Sequence, residues 1–248
     1  MSDSWESRLP FYYGWVIFAI TFFIYMFMYG LRYSVGIFFE PIRDELGWTN
    51  AMTASGVTIF FWVYAISAPF VGQLASRIGA RKTVLMGGLL LGGGGIILSQ
   101  ITALWQLYLA WGVIAAMGSA ALYVVPTMVL SSFFHRKRGS TVGWSSMGVS
   151  AGQALIIPQI AKLIESWGWR PSMLLLGLMV VGTTSVIGYL FLRDSPESMG
   201  LYPDGADGPP DRREINYIES DWSPRDALGN WSFRLVAISY FFCLGGVI

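Results

Sequence analysis

Apolar residues in this chain fall in long, nearly uncharged blocks broken by short charged or glycine-rich turns. Six blocks are legible, at 11–39, 51–75, 83–101, 104–134, 140–164 and 171–192. A helix that crosses a bilayer needs about 20 largely apolar residues, so each block predicts a membrane span. A seventh begins near Trp231 and runs without a charge after Arg234 to Ile248. That ending reads as a truncation, because a span normally finishes on a polar or aromatic anchor. The expected fold class is therefore an all-α membrane protein: a six-helix bundle over 1–192, a central linker over 193–230, and the start of a further bundle over 231–248.

Composition agrees: 54% of residues are hydrophobic and only 12% charged, about half the charge of an ordinary soluble domain. The first block is too long for a signal-peptide core and has no small-residue cleavage site, so it reads as retained. The single cysteine, Cys243, leaves no intramolecular disulfide to form.

Charge distribution sets the expected orientation. Arg77, Arg81 and Lys82 separate the second and third spans, and Arg136, Lys137 and Arg138 separate the fourth and fifth. By the positive-inside rule these turns are cytoplasmic, as is the N-terminus with Arg8. The opposite side holds Arg43 among Glu40, Asp44 and Glu45, then Lys162 and Arg170 around Glu165. A multi-pass protein of the plasma (cytoplasmic) membrane is implied. The linker holds Tyr202-Pro203-Asp204-Gly205 and Gly208-Pro209-Pro210-Asp211, which read as mobile chain. Pro69 and Pro158 fall at the same offset into the second and fifth spans, as an inverted three-plus-three repeat would place them.

Within the first span lies one charge, Arg32. Burying a guanidinium at membrane depth costs at least about 2.5 kcal/mol, so it normally faces a cavity or a polar partner. A cation there suggests an anionic passenger. Tyr25, Tyr29, Arg32 and Gly36 share one helical stripe at i, i+4, i+7 and i+11. The tyrosine hydroxyls suit orienting the guanidinium or bonding a carboxylate, and the arginine fork suits bidentate carboxylate binding. The bland alternative is that Arg32 snorkels outward or packs on backbone carbonyls; it lies about 10 Å from the outer end of its span. On the fifth span Ser146, Ser150 and Gln153 share a face that suits the same cavity, with Pro158 opening the helix beyond them. Small polar residues are as often helix-packing contacts. Tyr123 and Thr127, flanking Pro126, are weaker candidates, and Trp167 and Trp169 beside Arg170 read as interfacial anchors.

Several chemistries are excluded. All 15 Asp and Glu residues map to termini and loops, so a proton-titrating group would come from elsewhere. His135, the lone histidine, sits in a basic run, so neither a histidine metal site nor a Ser/His hydrolase fits, and no cofactor is expected. Gly87-Gly88 and Gly92 to Gly95 lie inside a span and serve helix packing rather than phosphate binding. The cluster from His135 to Arg138 is too small for nucleic acid; topology and anionic headgroup contact account for it.

Gly72-Gln73-Leu74-Ala75-Ser76-Arg77-Ile78-Gly79-Ala80-Arg81-Lys82 resembles the signature loop of the major facilitator superfamily. Ser76 stands where that pattern usually has Asp, which implies a weaker gate latch. Gly72 and Gly79 permit close packing and a tight turn, while Arg77, Arg81 and Lys82 suit bonding helix ends across the half-bundle interface. Phe133-Phe134-His135-Arg136-Lys137-Arg138-Gly139, continuing through Gly143 to Ser150-Ala151-Gly152, resembles the fifth-helix motif of the monocarboxylate transporters and the related oxalate/formate antiporters. Tyr13-Gly14-Trp15 and Tyr33-Ser34-Val35-Gly36-Ile37-Phe38-Phe39 are also similar to that group. The resemblance implies the N-terminal half of a 12-span transporter built of two six-helix bundles. Animal members carry a lysine where Tyr33 aligns, one residue after Arg32, and an Asp and Arg pair on the eighth span, outside this chain.

The expected function is secondary transport of a small organic anion, foremost a monocarboxylate, by rocking of two bundles. Its expected partners are that anion, protons as a candidate co-substrate, the lipid bilayer and the second six-helix half. The alternatives are a seven-span receptor or sensor and a facilitator of an unrelated small solute. A seven-span receptor fits the span count but not the orientation or the signature loop. A membrane-embedded enzyme fits no constellation of residues.

Overall fold

The computed structural model describes residues 12–206, 208 and 229–245. Six of its helices are long and apolar enough to cross a membrane: α1 Gly14–Leu46, α2 Asn50–Ile78, α3 Ala80–Leu98, α4 Leu104–Phe133, α5 Arg138–Trp167 and α6 Trp169–Phe191. They belong to one compact unit; α7, Trp231–Gly245, belongs to a second. The spans fall where the apolar blocks place them, with one systematic difference. Helices continue into the charged segments that hydropathy reads as loops, so Glu40, Asp44 and Glu45 are helical on α1, and Glu165 on α5. An i,i+3 pair, Arg43 with Glu40, supports the α1 extension. It stops at Gly47, whose φ of +69° closes the left-handed C-cap.

α1 packs chiefly on α5, α2 on α4, and α3 on both α4 and α6. Exchanging the first three helices with the last three maps α1–α5 onto α2–α4 and returns α3–α6 to itself, while α3–α4 maps onto the smaller α1–α6 contact. The turns repeat it in detail. The α2–α3 and α5–α6 pairs are each joined through a single glycine, Gly79 (φ +92°, ψ 153°) and Gly168 (φ +83°, ψ 168°), a backbone region that is essentially glycine-only. Two residues past each lies an arginine. Arg81 donates from Nε to the Leu192 carbonyl beyond the end of α6. Arg170 donates to the Ser99 and Ile101 carbonyls beyond the end of α3, at 3.1 and 3.0 Å. Pro69 and Pro158 each precede their turn glycine by the same interval, and the helix runs on through both; the interruption of α5 falls at Ser146 and not at Pro158. Proline, glycine and arginine thus recur on opposite ends of the bundle, as an inverted repeat requires.

Arg170 also pairs with Glu45 at 2.9 Å, and Glu45 accepts from Trp169 Nε1 at 2.5 Å. A charged donor serving two carbonyls and a carboxylate contributes about 1.5–3 kcal/mol. Arg170→Met is expected to lower the thermal midpoint of the detergent-solubilised intact protein, and Arg81→Met to lower it less. Wild-type melting of both would remove the proposed bracing role.

Glycines let α3 approach its neighbours. A Cβ on Gly92 would lie 2.6 Å from the Gly177 carbonyl oxygen on α6, so these backbones touch. Opposite α3, both α4 and α6 carry π-helical segments, Tyr108–Ala115 and Val181–Ser185. Such bulges often mark functional positions.

The first residues after α6 are docked rather than mobile. Asp194 accepts the Ala80 backbone N–H at 2.5 Å, capping α3, and Asp204 accepts the His135 and Arg136 N–H groups at 2.9 and 2.8 Å. Tyr12 donates to the Phe133 carbonyl at 2.7 Å. Burial, reinforced by the Asp204 carboxylate, pushes the Tyr12 hydroxyl well above the ordinary phenol range, so it stays a donor. Most of the remaining linker, including Pro209-Pro210-Asp211, lies outside the described residues. Asp204→Ala is expected to raise the rate of limited proteolysis within 194–206 several-fold, since it orphans two N–H groups; an unchanged cleavage pattern would contradict the docked arrangement.

Candidate functional site

Arg32 sits mid-bundle on α1, half-buried. Its guanidinium carbon lies 5.3 Å from the Tyr29 ring centroid, 5.2 Å from Phe60, 5.0 Å from Phe61 and 4.8 Å from Tyr64. Each such contact supplies about 0.5–1 kcal/mol, more where water is excluded. Among the described residues it has no carboxylate partner and no hydrogen bond, so aromatic faces, not backbone carbonyls, hold the charge. Their attraction offsets part of the burial cost and leaves all five N–H donors unused.

The same guanidinium lines a cavity of about 220 Å³, with Tyr33, Val35, Gly36 and Phe39 of α1, Val57, Phe60 and Phe61 of α2, and Trp111 of α4. Val57, Phe60, Phe61 and Tyr64 recur at i, i+3, i+4 and i+7, one stripe of α2 turned toward α1. Trp111, from the π segment of α4, stacks on Phe60 at 5.1 Å. The cavity is one cation in an apolar aromatic cup.

The sequence-predicted residues divide. Tyr33 and Gly36 line the cavity. Tyr29 stacks on Tyr33 at 5.6 Å and meets Tyr123 edge-on at 6.4 Å. Tyr25 is buried behind them, stacked on Tyr123 at 5.5 Å, its hydroxyl sharing a hydrogen bond with the Thr127 hydroxyl. Tyr25 and Tyr123 thus support the wall rather than line it. Ser146, Ser150 and Gln153 do not line this cavity. The Ser146 hydroxyl donates to the Val142 carbonyl at 2.9 Å, while Ser150 and Gln153 are exposed on the face of α5 opposite the buried Gly148 and Gly152. Phe60, Phe61, Tyr64 and Trp111 were missed; the α2 stripe was the available signal.

In the signature loop, Gly79 makes the turn and Arg81 braces α6, within this bundle. Ser76 donates to the Gln73 carbonyl at 2.8 Å and caps nothing; the α3 cap comes from Asp194. Arg77 and Lys82 are exposed, and Gly72 faces Val124 of α4. Among the described residues no group of His, Cys, Asp and Glu is placed to hold a metal.

Among the described residues the chain is thus a bundle of six membrane-length helices with repeated turns and one cation, Arg32, facing an aromatic cup. Residues 21–248 match the family model of the Major Facilitator Superfamily, and the chain belongs to that family as an N-terminal, monocarboxylate-transporter-like half. It is 30% identical over 167 residues to human Monocarboxylate transporter 7, covering 67% of this chain and 32% of the relative. Human Monocarboxylate transporter 11 is 31% identical over 172 residues (69% and 36%), and mouse Monocarboxylate transporter 9 is 26% identical over 219 residues (87% and 42%). The chain thus spans about a third of the length of the first of these relatives.

Proposed function

We propose that this chain forms the N-terminal half of a secondary transporter for a small monocarboxylate, with Arg32 as the carboxylate anchor. The observation that carries this is an uncompensated guanidinium in an aromatic-walled cavity. A carboxylate entering the cup would find the unused N–H donors in a low-dielectric setting, where a charge-assisted fork is strongest. Tyr29 and Tyr33 flank the entering group, and the apolar cup accepts its carbon skeleton. The names of the relatives point to the same substrate class.

The basic turns lie on the cytoplasmic side in this reading, with the N-terminus beside them, in the plasma membrane. The uncovered faces of α2 and α5, including Ser150 and Gln153, receive the second six-helix bundle. Neutralisation of Arg32 by substrate then lets the two bundles close and rock, exposing the site to one side at a time. The signature loop, lacking an acid at Ser76, contributes a weak latch to that cycle. Among the described residues no carboxylate or histidine lines the Arg32 cavity, so proton coupling calls for a titrating group from the second bundle; anion exchange requires none.

The test is uptake of a radiolabelled monocarboxylate panel by the intact protein in proteoliposomes, with and without an inward proton gradient. Gradient-stimulated uptake establishes symport, and uptake that needs only an internal counter-anion establishes exchange. Failure to take up any member under either condition overturns the monocarboxylate assignment.

A further inference from the structure

A second cavity lies apart from the Arg32 cup, at the basic end of the bundle. It measures about 300 Å³ and is lined by Trp15 and Phe18 of α1, by Lys137, and by Ser140, Thr141 and Trp144 of α5. That volume is at the lower edge of pockets that hold small organic ligands, roughly 300–1,000 Å³. Its walls are aromatic and its rim is cationic.

Trp15 is pinned edge-on against Phe134 at 5.4 Å and Phe18 at 5.9 Å, yet 46% of its surface is exposed, as is 61% of Trp144. Two indoles left open on the flank of the bundle, about one or two turns inside the basic residues, occupy the depth of an interfacial aromatic belt. Lys137 is exposed, and its ammonium makes no hydrogen bond or ion pair among the described residues. The Ser140 hydroxyl is likewise unused, whereas Thr141 donates to the Lys137 carbonyl at 3.0 Å. The pocket surface is almost wholly apolar and suits acyl methylenes, while Lys137 and Ser140, both exposed, belong to its edge.

We propose that this pocket binds one anionic phospholipid of the basic-side leaflet. Its phosphate meets Lys137 and Ser140, and the first acyl methylenes lie between Trp15, Phe18 and Trp144. Charge complementarity selects the occupant: Arg136, Lys137 and Arg138 run together at this corner, opposite the sign of a phosphatidylglycerol headgroup. Free phosphate would leave the three aromatic walls uncovered, and a zwitterionic lipid would bring its own cation against Lys137. The site is independent of substrate; only its assignment to the cytoplasmic leaflet rests on the orientation proposed above.

The experiment is native mass spectrometry of the intact, detergent-purified protein titrated with phosphatidylglycerol, comparing wild type with Lys137→Gln, Trp144→Ala, Lys137→Arg and the control Arg77→Gln. One lysine near an anionic lipid is worth about fivefold in binding, so Lys137→Gln is expected to reduce retained phosphatidylglycerol by about that factor. Trp144→Ala should reduce it as well, while Lys137→Arg and Arg77→Gln retain it. Phosphatidylcholine should be retained about fivefold less, and millimolar inorganic phosphate should not displace the lipid. Equal retention by Lys137→Gln and wild type, equal retention of phosphatidylcholine, or displacement by phosphate would each overturn the proposal. Variants that melt at the wild-type temperature separate lost binding from lost fold.

Discussion

Arg32→Ala is expected to lower monocarboxylate uptake by the intact protein on the order of 100-fold or more at sub-saturating substrate. Removing one partner of a desolvated, hydrogen-bonded charge pair costs about 2–5 kcal/mol, and each 1.4 kcal/mol is tenfold in affinity. The geometry leaves no substitute, because the other residues lining the cup are aromatic, aliphatic or glycine. Arg32→Lys keeps the charge but loses the planar fork and its contacts with four rings, so it should fall between wild type and alanine. The cavity and the uptake defect are separable from folding. Arg32→Ala relieves a burial cost as it forfeits the ring contacts, so thermal stability should change little while transport collapses. Uptake at the wild-type level in Arg32→Ala would sink the assignment.

Gly152→Leu is expected to prevent a folded bundle from accumulating. α1 and α5 meet through glycines: a Cβ at Gly152 overlaps the Met26 carbonyl oxygen and comes within 3.0 Å of the Gly30 nitrogen, and Gly30 itself faces Ile156. The obstruction is backbone, which cannot rotate aside as a side chain can. Overpacking typically costs about 1–3 kcal/mol and more where nothing yields, a large part of the total stability of a folded domain. Size-exclusion chromatography of the fluorescently tagged intact protein should show Gly152→Leu aggregated, whereas a nearby exposed change, Leu155→Ala, should elute as wild type. A monodisperse Gly152→Leu peak with unchanged melting would contradict the close α1–α5 approach. Because α1 also carries Arg32, this interface sets the rotation that turns the guanidinium toward α2.

Hydropathy revealed the six spans because lipid imposes it on every exposed helix surface. It could not reveal that α1 continues to Leu46, since beyond the bilayer a helix needs only propensity, ion pairs and a cap, and Gly47 supplies the last of these. The matched prolines were a legible trace of the repeat; the matched Gly79 and Gly168 turns and the Arg81 and Arg170 braces were equally present in the sequence but acquire meaning only once helix ends are paired in space. Arg32 stood out as a charge inside an apolar block. The cup around it did not, because which stripe of α2 faces α1 depends on helix rotation, and Phe60 or Trp111 in an apolar run looks like any lipid-facing aromatic. Asp204 was hidden for a related reason: its Pro and Gly neighbours signal a turn, and nothing local shows that its carboxylate closes on the end of α4.

Arg32, in the proposed mechanism, recognises the negative charge of a carboxylate. The most direct measurement is competition of labelled monocarboxylate uptake, in proteoliposomes of the intact protein, by unlabelled acids and by their neutral amides of matched shape. Acids should compete and amides should not, by on the order of 100-fold for a fully desolvated charge pair. Amides competing as well as their acids would show that the cup reads shape alone, and would contradict Arg32 as the anchor.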